Sequence, residues 1–385
     1  MRVLVLSWRD LKHPAAGGAE VYLEAVLKRW ADLPGMHVTL FSAAVDGAPA
    51  EEVVDGYRVV RQGGRLGVYR AARRWWRENG RGRYDVIIEA DNTVPFLAHE
   101  WVDDGTPTVA LVHQTCEEIW KWNAPWPASV LGRRVLEPRW MRRLASAPVL
   151  AVSDSTRDSL ARFGVADCVV VPEGHEESPE ALAAVGIPRA EKPTVVWCGR
   201  LVEYKRPHDL LRAVRIARLS IPDLEVHMIG GGPLLDELLE AAPDGVIVHG
   251  RVDEDFKQHL MARAHVHIAT SVREGWGLVV SEAAALGTPT LAYDVPGLRD
   301  STRAAGGTLC PPDPRALAAY LVELMPTWLA AEPQPIRHGG ARSWDDVARE
   351  VLAAVRDRAA VPGTGERPWR TAPATTAPVA RMEAA

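Results

Sequence analysis

Two doubly wound α/β domains with a cleft between them are what this sequence of 385 residues predicts. Three observations lead there. Short, continuous apolar runs recur between amphipathic helical stretches, the pattern of strands buried on both faces of a parallel sheet. The alternation thins between about Glu173 and Pro193, where Glu, Ser, Pro and Ala dominate, and then starts again. The length also accommodates two domains of roughly 100–200 residues each.

The elements follow in order. Arg2–Ser7 reads as a buried strand, and Gly17 and Gly18 open a helix through Glu20–Ala31 whose Val21, Leu23, Val26, Leu27 and Trp30 share a face. His37–Ser42 is the next strand, followed by a hairpin around Asp55–Gly56 and by strands at Asp85–Glu89, Thr108–His113 and Val149–Ser153. The second series is Thr194–Cys198, Leu224–Ile229, Val246–His249, His265–Thr270 and Thr290–Tyr293, with helices between. Trp344–Arg358 is a last amphipathic helix, and from about Val361 the chain is Pro, Ala, Thr and Gly with few large apolar residues, a composition that predicts disorder. The division is therefore a first domain over 1–175, a linker over 176–193, a second domain over 194–340, a helix over 341–360 and a disordered tail over 361–385.

Composition narrows the function classes. Hydrophobic residues make up 47% and charged residues 25%, which excludes a collagenous, disulfide-scaffold or wholly disordered chain. A net charge of −5 gives no global positive field, so no nucleic-acid partner is expected. The four cysteines contain no C-x-x-C pair, which fits a reducing compartment and small apolar fillers at Cys116, Cys168, Cys198 and Cys310. No apolar run approaches the roughly 20 residues of a membrane span. The Val3–Leu6 run is too short for a signal-peptide core, so the expected location is cytoplasmic.

The chemistry concentrates in the second half. The strand Val195–Cys198 runs into Gly199-Arg200-Leu201-Val202-Glu203-Tyr204-Lys205-Arg206-Pro207, placing a guanidinium and an ammonium at a strand's carboxyl end beside a helix start. Such a corner collects phosphate: Arg offers a flat fork, Lys a compact charge, and free backbone N–H groups add to both. Taken alone, the pair also fits a solvated turn. Some 70 residues on, Arg273-Glu274-Gly275-Trp276-Gly277-Leu278-Val279-Val280-Ser281-Glu282 again follows a strand, and its glycines let backbone approach a ligand. Glu274 and Glu282 suit the hydroxyls of a sugar or ribose, or, taken alone, a helix-start preference and a surface charge.

The combination is more specific than its parts. Arg200 and Lys205, then Glu274 and Glu282 across a Gly-aromatic-Gly loop, resemble the retaining glycosyltransferases of family GT4, which have the GT-B fold. The resemblance covers about residues 1–360 and extends to Gly17-Gly18-Ala19-Glu20, to His113 at a strand end and to Gly230-Gly231-Gly232-Pro233. It implies that Arg200 and Lys205 hold the donor diphosphate, that Glu274 bonds the transferred sugar and that Glu282 bonds the ribose. Backbone at Gly275, Trp276, Gly277, Leu278 and Val279 would reach phosphate and sugar. Gly17 and Gly18 would let the first domain approach the diphosphate, His113 would orient the sugar, and Arg251 and Val252 would line the base pocket. The last helix would cross back to the first domain. The resemblance further implies that no cofactor and no metal are needed, with a nucleotide-diphosphate sugar as co-substrate.

Acceptor signals are sparser. In Trp120-Lys121-Trp122-Asn123-Ala124-Pro125-Trp126, indole faces would stack on an acceptor ring, and loop packing explains them equally well. Arg70, Arg73, Arg74, Arg77, Arg81 and Arg83, with Trp75 and Trp76, form one basic cluster; Arg133, Arg134, Arg139, Arg142 and Arg143 form another. Each reads as a solvated helix face or as a surface drawn to anionic lipid. His265 and His267 read as packing groups rather than metal ligands. The expectation is a retaining transferase acting on an acceptor hydroxyl, in envelope glycan or glycolipid synthesis or in antibiotic synthesis, with peripheral contact at the inner membrane face. An epimerase of the same fold and a non-catalytic sugar-nucleotide sensor are the alternatives.

Overall fold

The computed structural model describes residues 1–175, 187–331 and 342–359. The first sheet contains β1 (Arg2–Ser7), β2 (His37–Ser42), β3 (Glu51–Val54), β4 (Tyr57–Arg61), β5 (Val86–Asp91), β6 (Thr108–Val112), β7 (Val149–Ala151) and β8 (Cys168–Val170). Its order is β3-β4-β2-β1-β5-β6-β7-β8, parallel except for the β3–β4 hairpin, which turns at Asp55-Gly56. The second sheet contains β9 (Thr194–Cys198), β10 (Glu225–Ile229), β11 (Val246–Gly250), β12 (Val266–Ala269), β13 (Thr290–Tyr293) and β14 (Thr308–Cys310). It is wholly parallel, in the order β11-β10-β9-β12-β13-β14.

In both sheets the strand order reverses beside the first strand, between β1 and β5 and between β9 and β12. Crevices open at the carboxyl ends of such switch points, because neighbouring connections leave toward opposite faces. Two strands were not anticipated, β8 and β14. Each has three residues, two or three of them only half-buried, so neither shows the continuous apolar run that marks the others. Three strands end earlier than predicted, β12 by a single residue, at Ala269. β6 stops at Val112 and leaves His113 in the loop; β7 stops at Ala151 and releases Ser153 to cap the helix Asp154–Ala161, its Oγ accepting from Thr156 N–H at 3.1 Å.

One face of the first sheet packs on the helices Gly18–Ala31 and Trp344–Arg358, with Tyr22, Trp30, Trp344, Val347 and Val351 in a common core. The Trp30 indole N–H donates to Ala348 O at 2.8 Å, and Arg29 meets Asp345 at 2.5 Å. The last helix thus lies on the first half of the chain. The other face is covered by the helices Val68–Trp75 and Glu137–Leu144. Residues 176–186 of the stretch read as a linker, and the tail 361–385, lie outside the described residues. In the remainder of that stretch Arg189 is tied to the second half, donating to Ala262 O at 2.8 Å and Thr288 Oγ1 at 2.6 Å.

Candidate active site

Two loops of the second sheet are laced together. Val272 N–H donates to Tyr204 O at 2.8 Å, Thr270 Oγ1 donates to Lys205 O at 2.8 Å, and the Lys205 ammonium donates to Glu274 Oε1. Ser271 Oγ donates to the same Glu274 oxygen at 2.5 Å. Burial works to lower the pKa of Lys205, but the Glu274 carboxylate outweighs it and holds the amine above its ordinary value. Arg200 donates to Tyr204 Oη and reaches Ala15 O, in the first half of the chain, at 3.5 Å. The sequence-predicted Arg200, Lys205 and Glu274 therefore form one cluster.

Local sequence explains this corner. Arg206 sits in a left-handed conformation, with φ of 51°, directly before the helix Pro207–Ala217, whose first-position proline suits a helix start. The loop Gly230–Gly232 presses against the same corner: a Cβ at Gly230 would lie 1.8 Å from Gly199 O and one at Gly232 2.3 Å from Leu201 O. These glycines permit a backbone-to-backbone contact that shapes the anion corner. The Arg251 stem lies over Gly231, where a Cβ would come within 2.9 Å of Arg251 Cγ. Arg251 is exposed and Val252 half-buried, so both border the cluster on its β11 side. Glu282, in the helix Leu278–Ala285, accepts from Lys257 Nζ at 3.1 Å. Gly277 precedes that helix at φ 102°, and Trp276 beside it is buried, its indole donating to Ser281 Oγ at 3.0 Å.

The first half supplies the opposite wall. Gly17 N–H donates to Glu20 Oε2 at 2.7 Å, and Glu20 is itself paired with buried Arg9 at 2.6 Å. This closes the loop after β1 and sets the start of the helix Gly18–Ala31. A Cβ at Gly18 would stand 3.6 Å from Leu278 Cδ1, so the two glycine-led helix starts meet. The first N–H groups of both helices are available to an anion there. Val279 lies one residue further along, half-buried.

His113 follows β6 and is buried with neither ring nitrogen hydrogen-bonded among the described residues. Its ring stands edge-on to Tyr22, centroids 5.2 Å apart, and burial drives its pKa down to about 4. Glu173 lies 3.9 Å from His113 Nδ1. Burial, then the charge of Glu274, pushes Glu173 up to about 8. Glu173 was not singled out in the sequence, because it falls where the strand pattern fades. Arg273, which the sequence marks only as a member of the Arg273–Glu282 motif, is buried against the first half.

The three tryptophans separate. Trp120 is committed to packing: its indole donates to Glu137 Oε2 at 2.8 Å, and its ring lies so close over Gly132 that a Cβ there would clash. That removes it from the free stacking faces the sequence offered. Trp122 and Trp126 are exposed, Trp126 to 81%. His265 and His267 are buried in hydrogen bonds to Thr194 N–H and Thr290 Oγ1. Among the described residues no group of three or more His, Cys, Asp or Glu side chains is placed to hold a metal, and no helix is long and apolar enough to cross a membrane.

Comparison with known proteins agrees with this architecture. Residues 16–178 match the family described as Glycosyltransferase Family 4, and residues 192–326 match Glycosyl transferases group 1. The D-inositol 3-phosphate glycosyltransferase of Thermobispora bispora is 31% identical, over 93% of this chain and 92% of its own. The phosphatidyl-myo-inositol mannosyltransferase of Mycobacterium leprae is 28% identical, over 74% of this chain and 76% of its own. Among solved structures, Anabaena HepE in complex with UDP-glucose superposes with a TM-score of 0.62 at 18% identity, covering 93% of this chain and 95% of its own. With the family matched in both halves and a relative aligned nearly end to end, the chain belongs to glycosyltransferase family 4 and is a sugar-transferring enzyme of the GT-B type.

Proposed function

We propose that this enzyme moves a sugar from a nucleotide-diphosphate donor to an acceptor hydroxyl with retention of anomeric configuration. The observation that carries the reading is the Arg200–Lys205–Glu274 cluster standing opposite the Gly18 helix start. Breaking the anomeric C–O bond leaves negative charge on the diphosphate and cationic character on the ring. Fixed positive charge at the diphosphate lowers that barrier most where water is excluded. Arg200, Lys205 and the N–H groups at Gly277, Leu278 and Val279 take the diphosphate. Glu274 takes sugar hydroxyls, Glu282 the ribose, and Arg251 and Val252 flank the base. Donor binding exchanges the Lys205–Glu274 pair for one contact to phosphate and one to sugar.

His113 is neutral above about pH 4, so it presents a polar ring to the sugar without opposing the ring's developing charge. The acceptor oxygen forms the new bond on the face the diphosphate leaves, and its proton passes to the departing phosphate oxygen. No side-chain nucleophile is needed. The cations and helix N-termini replace a metal in this scheme, so added EDTA leaves turnover unchanged.

The surface around the exposed tryptophans favours an acceptor held at an anionic membrane. Trp122, Trp126, Val130, Leu131 and Val135 are all exposed within one short stretch. Lys121, Arg133 and Arg134 accompany them, with no acidic residue between Ile119 and Leu136. Exposed apolar groups among cations suit the interface of anionic lipid. The mannosyltransferase relative, named for a phosphatidyl-inositol, is consistent with this. We place the enzyme in the cytoplasm, peripheral at the inner membrane face.

Thermal shift with UDP-glucose, UDP-N-acetylglucosamine, ADP-glucose and GDP-mannose tests the donor assignment: one of them raises the melting temperature and is cleaved, and NMR of the product shows retained configuration. No shift and no cleavage with any of the four would overturn the reading. Sedimentation with phosphatidylglycerol vesicles at low salt tests the membrane contact. The enzyme pellets with them, and Trp126→Ala with Leu131→Ser weakens it; failure to pellet refutes that contact.

A further inference from the structure

Arg273 is among the most buried charged residues of the protein, with its side chain only 3% exposed, yet it belongs to a loop that borders the cleft. Its polar contacts all lie in the other half of the chain. Nε meets Glu118 Oε2 at 3.0 Å, Nη2 meets Glu117 Oε1 at 3.2 Å, and Nη1 donates to Ser159 Oγ at 3.1 Å and Thr115 Oγ1 at 3.4 Å. The receiving segment is itself held under tension. Glu117 has φ of 33°, a left-handed conformation costly for a residue with a side chain, and its carboxylate also accepts from Thr115 Oγ1 at 2.8 Å and Arg162 Nη2 at 2.5 Å. Backbone strain of that kind persists only where surrounding contacts fix it.

The same loop touches the first half at two further points. A Cβ at Gly275 would lie 2.6 Å from His113 O, and Leu278 packs on Gly18. Glu274 sits between Arg273 and Gly275. Arg273 is thus the charged anchor of a three-point seat, with Gly275 and Leu278, that carries Glu274, the partner of Lys205. The segment it grips runs from His113 directly into Trp120–Trp126.

We propose that Arg273 is a positioning residue: through Glu117 and Glu118 it seats the Glu274 loop against His113, so that both halves of the site align on the donor sugar. It touches no reacting atom. This rests on the sugar-transfer reading above and adds a residue and a coupling to it. Removing the anchor lets the loop move while leaving the diphosphate corner of Arg200 and Lys205 intact.

The test is Arg273→Ala, with Arg273→Lys and Glu118→Gln beside it, using the donor selected from the four sugar nucleotides above. Arg273→Ala leaves Glu117 paired with Arg162, and Glu118 is 42% exposed, so neither carboxylate is stranded. Cleavage of bound donor should slow by roughly 10- to 10²-fold, the scale of a misplacement of about 1 Å. The dissociation constant of the free nucleoside diphosphate should rise by less than the roughly tenfold that about 1.4 kcal/mol would bring, because Arg200 and Lys205 still hold it while the Gly277–Val279 N–H groups shift with the loop. Arg273→Lys should recover part of the rate, and the Ala and Glu118→Gln effects should be non-additive. Unchanged cleavage by Arg273→Ala overturns the proposal, as does loss of nucleotide affinity in step with rate. Hydrogen exchange separates this from failure of the sugar-transfer reading: if no sugar nucleotide binds even the wild type, the anchor still predicts faster amide exchange across residues 113–118 and 274–278 in Arg273→Ala, and unchanged exchange there then refutes it.

Discussion

At or beyond the ends of β5, β6 and β8 the side chains of Asp91, His113 and Glu173 are held uncharged, whereas in the second half Lys205 and Lys257 are held charged. His113 is pushed down to about 4 and Glu173 up to about 8, in both cases chiefly by burial, and Asp91 at the end of β5 is likewise driven well above the carboxylate range by burial and then by Glu89. Across the cleft, burial is opposed by partners: Glu274 keeps Lys205 protonated, and Glu282 and Glu254 do the same for Lys257. Desolvation acts on both walls, and what differs is whether a counter-charge stands within reach. Beside the Arg9–Glu20 pair, the first half therefore presents the neutral polar groups of His113 and Glu173 and the second presents fixed cations, a division suited to a ligand that is uncharged at one end and a diphosphate at the other.

The contrast can be broken in several places. The largest expected effect is on the first half, whose core is completed by the last helix. Trp344 is 3% exposed there, and Trp344→Ala should cost about 3–5 kcal/mol, read as a lower urea midpoint. A midpoint near wild type would mean that the helix is dispensable to that core. Next in size, Lys205→Ala removes the paired cation of the second wall and should lower turnover by roughly 10²–10³-fold with the fold intact. Arg200→Lys should also be damaging, because the flat fork is lost. Wild-type rates in Lys205→Ala would remove the cationic wall from the mechanism.

The smallest effect sharpens the neutral wall. Glu173 has a folded pKa of about 8 against an ordinary 4.5, so the native state keeps a proton that the unfolded chain has lost. Its stabilising contribution is complete below about pH 4.5 and disappears as pH rises toward 8. His113 has the opposite sign, adding stability as pH rises from about 4 to 6.5, and is silent above that. Between about pH 6.5 and 8 the wild type should therefore lose stability relative to Glu173→Gln. Parallel pH–melting curves for the two proteins over that range would show Glu173 to be an ordinary carboxylate.

Much of this was legible in the amino-acid sequence, for identifiable reasons. Strands buried on both faces, such as Arg2–Ser7 and Thr194–Cys198, announce themselves by unbroken apolar runs, whereas β8 and β14 are short, partly exposed and silent. Arg200, Lys205 and Glu274 could be grouped because both motifs follow strands of one sheet and their combination resembles a known family; neither motif alone separates a site from a solvated turn. Arg273 could not be understood this way: its partners lie 114 to 158 positions away, and nothing local marks an arginine that will be buried. For Trp120 the sequence left packing and acceptor stacking equally open, and only its contacts with Glu137 and Gly132 distinguish it from exposed Trp126.

Transfer from a nucleotide-diphosphate donor requires that the second wall grip a diphosphate. Calorimetric titration of the selected donor's nucleoside diphosphate and monophosphate into wild type and Lys205→Ala measures this directly. The wild type should bind the diphosphate much more tightly than the monophosphate, and Lys205→Ala should erase most of that preference. Equal affinity for the two nucleotides in the wild type, or a preference untouched by Lys205→Ala, would contradict it.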